Sequence, residues 1–268
     1  MTVSDRTLEA ALAPLREDLG DAAVFCDVDG TLAPIVPRPE DSRLLDGVPE
    51  ALVELRGRVR LLAFVSGRGL ADLERLVALP GCAYAGNHGM EIHRVGREPE
   101  LADGVEEHLP AVAAFVAGWP PERLAPGDLR IEAKGATVSV HARGARDPEA
   151  ARLLMAQIAS DALDRGLVPS TGREVLELRP PVPVDKGTAV RALLRDSGAR
   201  TALYIGDDRT DADAWRALRA LRVEGGLDQA LGIAVAAGEV PPAVREAADL
   251  EVQGPAGALG VLRHLLQG

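Results

Sequence analysis

The chain has 268 residues, a length that suits one large domain with a substantial insertion, or two domains. It is 47% hydrophobic and 26% charged, the balance of a soluble globular protein, and no stretch approaches the roughly 18 uninterrupted apolar residues of a membrane helix. A formal net charge of −11, no Lys/Arg run and only 3% aromatic residues argue against nucleic acid as a partner, since that binding rests on basic surfaces and stacking platforms.

In chain order, residues 1–18 lack a basic start followed by an apolar run, so no secretory signal is predicted there, only a short amphipathic helix. Ala22 to Cys26 is an apolar run that ends in acids and Gly30, as a buried parallel strand ends in a loop. Helical spacing from Pro49 to Arg58 precedes a second buried strand from Val59 to Val65, and a helix from Leu70 to Ala78 leads into a short strand through Tyr84. This alternation predicts a parallel α/β sheet. It resumes with helices at 187–197, 211–221 and 255–266 and strands at 202–205, 231–235 and 249–252. The middle differs. A helix over 104–117 is followed by adjacent strands at 129–134 and 137–141 across a Gly135–Ala136 turn, a helix at 148–164, and a strand pair at 167–170 and 174–178. Close neighbours joined by tight turns predict antiparallel pairing, so 102–182 reads as an α+β domain inserted into an α/β core of 1–101 and 183–268. Pro180 to Pro183 is a plausible stiff hinge. Cys26 and Cys82 lie in apolar strands and read as small core residues, which predicts a reducing, cytoplasmic location. A chain opening at Met1 and closing on its own helix is expected to stand alone as a monomer.

Asp27 and Asp29 lie at the end of the first strand, where open α/β sheets bind ligands. Two carboxylates that close repel unless a cation or a proton is shared. A calcium loop is the alternative for Asp-x-Asp-Gly, but a strand precedes this one, and Val36 to Arg38 falls where an EF-hand needs its glutamate. Asp207 and Asp208 follow another core strand. With Asp27 and Asp29 they form an acidic cluster whose oxygen ligands suit magnesium. Asp211 reads equally well as an acid favoured by a helix N-terminus. Ser66-Gly67-Arg68 is as compatible with a helix cap as with a ligand loop. Lys186 stands at a helix start, where the dipole disfavours a cation, so an anionic partner is expected, although a tolerated surface lysine would have the same spacing. Asn87 and His88 before Gly89 suit a ligand-facing loop or a buried turn. Glu132 and Lys134 share one strand face, for which an exposed ion pair is the ordinary explanation.

The order Asp-x-Asp, Ser, Lys, Asp-Asp at successive strand ends and helix starts resembles the haloacid dehalogenase superfamily over nearly the whole chain, and the insertion is similar to its larger cap type. A Rossmann-like hydrolase core with an α+β cap is therefore expected. Gly86-Asn87-His88-Gly89, Glu132-Ala133-Lys134, His141-Ala142-Arg143, Leu176-Glu177-Leu178-Arg179-Pro180 and the run from Gly206 to Trp215 resemble trehalose-6-phosphate phosphatases. That family more often has Glu at Ala212 and Phe at Trp215, both beyond the acidic cluster. The resemblance implies Asp27 as nucleophile, Asp29 as general acid and base, and Lys186, Thr31, Ser66, Gly67 and Arg68 around the phosphate. It implies Mg²⁺ on Asp27, Asp29, Asp207 and Asp208, and a sugar read by Asn87, His88, Glu132, Lys134, His141, Arg143 and Glu177. The expected substrate is trehalose 6-phosphate. Sucrose phosphate or a glycosyl phosphoglycerate, a catalytically silent sugar-phosphate sensor, and association with a trehalose-phosphate synthase as one half of a fusion are the alternatives.

Overall fold

A computed structural model describes residues 5–172, 174–236 and 246–267. In chain order the elements are α1 (Asp5–Glu17), β1 (Ala22–Cys26), α2 (Val48–Arg56), β2 (Leu61–Val65), α3 (Leu70–Val77), β3 (Ala83–Gly86), β4 (Glu91–His93), β5 (Glu100–Leu101), α4 (Leu109–Gly118) and α5 (Pro121–Leu124). Then follow β6 (Arg130–Ala133), β7 (Val138–His141), α6 (Pro148–Asp164), β8 (Val168–Gly172), β9 (Val175–Arg179), α7 (Lys186–Ser197), β10 (Thr201–Gly206), α8 (Asp211–Val223), β11 (Gln229–Ala236), β12 (Leu250–Gln253) and α9 (Gly254–Leu266). Contacts divide the chain into two compact units, Met1–Glu100 with Val184–Gly268, and Leu101–Pro183.

The first unit is built on a sheet ordered β12-β11-β10-β1-β2-β3-β4-β5. From β12 to β3 every pairing is parallel, and β4 turns back antiparallel on β3. Strand residues alternate between two cores, as a pleat of period two requires. Val24, Cys26, Leu203 and Ile205 face one, with Leu12, Leu52 and Leu262. Phe25, Ala63, Tyr204 and Ala234 face the other, with Val190, Leu193 and Trp215. Burial on both faces is why β1, β2 and β10 read as continuous apolar runs. Truncating the fully buried Phe25 to Ala would cost about 3–5 kcal/mol. Register does the functional work. Cys26 is level with Ile205 and Phe64, and Val65 with Ala85, so the residues after β1, β2, β3 and β10 emerge at one edge.

The second unit is an antiparallel sheet ordered β6-β7-β9-β8. Val138, Val140, Leu176 and Leu178 pack against Phe115, Trp119, Ile158 and Ala162. The opposite face carries the in-register row Glu132, Ser139, Glu177 and Ser170.

Several elements depart from the sequence reading. The helix expected from Gly104 begins at Leu109, after a 3₁₀ turn at Glu106–His108. Pro110 explains this, since proline belongs in a first helical turn and lacks the N–H an interior position needs. Strand β2 starts at Leu61 because Val59 closes onto Leu55 O in the turn after α2. Strands β4 and β5 are three and two residues long, too short to show a period.

Candidate active site

The parallel register brings Asp27, Ser66, Asn87 and Asp207 to the C-terminal edge of the first unit's sheet, and Asp27 N–H still donates to Ile205 O at 2.8 Å. Gly30, at φ +84, turns the chain back, and its N–H donates to Ala33 O at 2.8 Å.

Lys186 is the hub. It is N1 of α7, whose N-cap Asp185 and Thr188 form a reciprocal capping box. Its side chain is only 2% exposed, with Nζ 3.0 Å from Asp27 Oδ1 and 2.7 Å from Asp211 Oδ1. The anionic partner expected from its unfavourable helix position is therefore present twice. Burial alone would push the ammonium down, but Asp211 and then Asp27 outweigh it and hold it well above the usual lysine range. Burial holds the Asp27 carboxyl well above its usual range, with Lys186 opposing and Asp207 adding repulsion. Thr31 Oγ1 stands 3.4 Å from Asp27 Oδ2 and 3.5 Å from Asp207 Oδ1, so its hydroxyl lies between the two carboxylates. Asp207 is pushed up to about 7 by burial, then by Asp211 and Asp208.

The sequence reading left Asp211 as a helix-end acid, yet it is fully buried. Its Oδ1 accepts from Lys186 and from Tyr204 OH at 2.7 Å, and its Oδ2 from the N–H groups of Asp207 and Asp208 at 2.9 Å each. Burial pushes it up to about 8. The carboxylates of Asp27, Asp207 and Asp211 each offer an oxygen within 4.8 Å of the others, a set of hard ligands suited to a small divalent cation. Four donors already occupy Asp211, so Asp27 and Asp207 are the pair with lone pairs to give, and Asp211 fixes Lys186 and the 206–208 loop. The missed signal was Tyr204, a buried hydroxyl one strand position before Ile205 that needs an acceptor.

The remaining acids point elsewhere. Asp208 Oδ1 accepts from Thr210 N–H at 2.8 Å and from Asp211 N–H at 3.2 Å, capping α8. Asp29 accepts from Arg68 through Nε at 2.6 Å and Nη2 at 2.7 Å, and from Ser42 Oγ at 3.1 Å. Ser66 is buried, and its Oγ accepts from Arg68 N–H at 3.3 Å. Asn87 and His88 both occupy left-handed backbone, φ 49 and 58, a strained pair held by Asn87 N–H to Arg68 O and His88 N–H to Ser66 O. A side chain on Gly67 would come within 2.7 Å of His88 Nε2, so the imidazole closes over that glycine.

On the polar sheet face of the second unit, His141 Nε2 lies 2.8 Å from Glu132 and Lys134 Nζ 3.7 Å from Glu177. Arg143 lies 3.7 Å from Glu174. Glu132, Lys134, His141 and Glu177 thus form one polar patch across three strands.

A parallel sheet with Asp27 and Lys186 converging at one edge, interrupted by an inserted α+β unit, is the fold of haloacid dehalogenase-like proteins. A solved haloacid dehalogenase-like hydrolase from Bacteroides thetaiotaomicron has the same fold, at TM-score 0.62 over 91% of this chain and 99% of its own, with 16% identity. Within that class the chain belongs to the trehalose-phosphatase family, whose profile matches residues 25–256. It is 39% identical over 210 residues to a trehalose-phosphate phosphatase of Mycobacterium avium (strain 104), covering 76% of this chain and 53% of the relative. The crystal structure of a trehalose-6-phosphate phosphatase related protein matches at TM-score 0.75 and 27% identity, over 91% of this chain and 97% of its own. The chain spans about half the length of the curated relatives it matches. No helix among the described residues is long and apolar enough to cross a membrane.

Proposed function

We propose that the chain hydrolyses trehalose 6-phosphate to trehalose and phosphate through an aspartyl-phosphate on Asp27. The observation that carries the reading is the buried contact of Lys186 Nζ with Asp27 Oδ1, 3.0 Å. It holds one carboxylate oxygen and leaves Oδ2 as the nucleophile. The family, and the activity for which its curated relatives are named, supply the sugar.

Asp27 Oδ2 forms a bond to phosphorus while the bond from phosphorus to the sugar oxygen breaks, and that oxygen takes a proton from Asp29. Water then attacks phosphorus and gives its proton to Asp29, and the bond to Asp27 breaks. Lys186 neutralises charge at the reacting carboxylate, and the Thr31 and Ser66 hydroxyls donate to the phosphate oxygens. Asp27 and Asp207 would hold a Mg²⁺ ion, which when bound neutralises charge on the transferring group. The second unit, acting as a cap, reads the disaccharide. Two buried free thiols, Cys26 and Cys82, fit a reducing cytoplasm.

The test is phosphate release from trehalose 6-phosphate, sucrose phosphate, a glucosyl phosphoglycerate and glucose 6-phosphate, with and without exhaustive chelation. Trehalose 6-phosphate is expected to lead in kcat/KM by about tenfold or more, with activity lost on chelation and restored by magnesium. Comparable rates on all four would sink the sugar assignment, and full activity after chelation would sink the metal.

Carboxylates accept hydroxyl hydrogen bonds, so Glu132→Ala or Glu177→Ala is expected to lower kcat/KM for the disaccharide by roughly tenfold. A small aryl phosphate should change little, and equal losses on both substrates would return these residues to the scaffold. Gly30→Ala is a sharper probe of the core. A side chain there would lie 2.0 Å from Asp207 Oδ2, at a φ of +84 that L-residues avoid. Displacement of Asp207 by the overlap should cost about a hundredfold in kcat and raise the magnesium concentration needed for half-maximal rate. An unchanged magnesium requirement would show that Asp207 is not a ligand.

A further inference from the structure

The family resemblance implied Arg68 among the phosphate ligands, but the geometry points to another task. We propose that Arg68 is a positioning residue that holds Asp29 for proton transfer, and that Asp29 carries the proton at Oδ2. This rests on the hydrolytic reading above.

Four of the five guanidinium N–H groups are spent on protein acceptors. Nε and Nη2 grip the two oxygens of Asp29 at 2.6 and 2.7 Å, Nη2 also reaches Pro39 O at 3.1 Å, and Nη1 bonds Asp72 Oδ2. The Arg68 side chain is 9% exposed and that of Asp29 31%. Asp29 is thus a carboxylate at the rim of the site, oriented by a planar fork. A bidentate fork fixes both the position and the plane of a carboxylate, which a lone lysine cannot do. Asp72 lies in the first turn of α3 and also pairs with Arg75, so one guanidinium ties together the loop after β1, the loop after β2 and α3.

The two oxygens of Asp29 are not equivalent. Oδ1 accepts from Arg68 Nη2 and from Ser42 Oγ at 3.1 Å, whereas Oδ2 accepts from Arg68 Nε. Oδ2 therefore keeps a lone pair facing away from the fork. In the first half-reaction that oxygen gives its proton to the departing sugar oxygen as the phosphorus–oxygen bond breaks. In the second it takes one from the attacking water, so the enzyme ends as it began.

Leaving-group chemistry separates this from phosphate binding. A sugar alkoxide needs the proton of Asp29 to depart, while 4-nitrophenolate leaves without one. Arg68→Met in the full chain with magnesium is expected to slow steady-state hydrolysis of trehalose 6-phosphate by about thirtyfold or more, within the range of a lost general acid, with KM little changed. The first-turnover burst of nitrophenolate should stay within about threefold, followed by slow turnover because water attack still needs Asp29. Arg68→Lys should restore only part of the loss. A burst that falls as far as sugar-phosphate turnover, with a raised KM, would make Arg68 a phosphate ligand and overturn the proposal. So would a variant whose turnover of trehalose 6-phosphate stays within threefold of wild type. If circular dichroism shows that Arg68→Met does not fold, Asp72→Asn decides instead. It frees one end of the fork and should give the same signature at roughly three- to tenfold, and no change on either substrate overturns the proposal. A wild-type chain that turned over neither ester would overturn the hydrolytic reading itself, a result distinct from an unchanged ratio in the variants.

Discussion

Asp27→Asn is expected to reduce phosphate release by more than about a thousandfold while leaving a folded protein. The amide keeps the shape of the carboxylate but cannot attack phosphorus. Its oxygen can still accept from Lys186, whose Nζ lies 3.0 Å from Asp27 Oδ1. Stability should not suffer in the metal-free protein. Burial holds the Asp27 carboxyl well above its usual range, so its ionised form weakens the fold at neutral pH, and an uncharged amide removes that cost. The melting temperature under chelation should match or exceed that of wild type. Addition of magnesium should raise the variant's melting temperature less, because one cation ligand has been weakened. Activity within tenfold of wild type would exclude Asp27 as the nucleophile.

The parts of the site that could be read from the chain are those set by strand ends. Apolar runs bounded by acids placed Asp27 and Asp207 correctly, because burial on both sheet faces leaves a continuous hydrophobic signature. Lys186 stood out through its conflict with the helix dipole, and its buried contacts with two carboxylates resolve that conflict. Asp211 was hidden by the opposite circumstance, since an acid at a helix start satisfies a local rule and raises no question. Only the fold brings Tyr204 OH, Lys186 and two loop amides onto it. His141 meets Glu132 across the β6–β7 hairpin already legible in the chain, but the pairing of Lys134 with Glu177 was unreadable. It depends on β9 lying beside β7, a neighbour decided by tertiary packing and not by residues 132–134. Arg68 is the subtlest case. The family resemblance implied a phosphate contact, and its grip on Asp29 depends on the path of the 34–47 loop, which carries Pro39 O to the guanidinium and Ser42 Oγ to Asp29.

Lys186→Met is expected to give the largest loss of stability of any single change at the site, and the loss should depend on pH in a defined direction. The ammonium is buried among Asp27, Asp211 and, at 3.9 Å, Asp208. Removing one partner of a buried charge set costs about 3–5 kcal/mol, because the remaining charges are left uncompensated. In the metal-free wild type, Asp207 and Asp211 are raised to about 7 and about 8, against roughly 4 in an unfolded chain. A raised carboxyl favours the fold fully below the unfolded value, and that contribution disappears as pH rises through the folded value. Wild-type stability under chelation should therefore fall between about pH 4 and pH 8. Lysine lowers both carboxyls, so without it they keep their protons to higher pH and the decline extends further. The deficit of the variant should be smaller near pH 5, where Asp207 and Asp211 are protonated and only Asp208, held below its usual range by Lys186 against its burial, stays ionised beside the ammonium, and should reach several kcal/mol near pH 9. Urea denaturation with chelator at pH 5, 7 and 9 measures it. Magnesium should flatten the wild-type slope by binding the ionised carboxylates. A deficit of equal size at pH 5 and pH 9 would show that Lys186 contributes packing alone, and would remove the electrostatic basis for placing it at the reacting carboxylate.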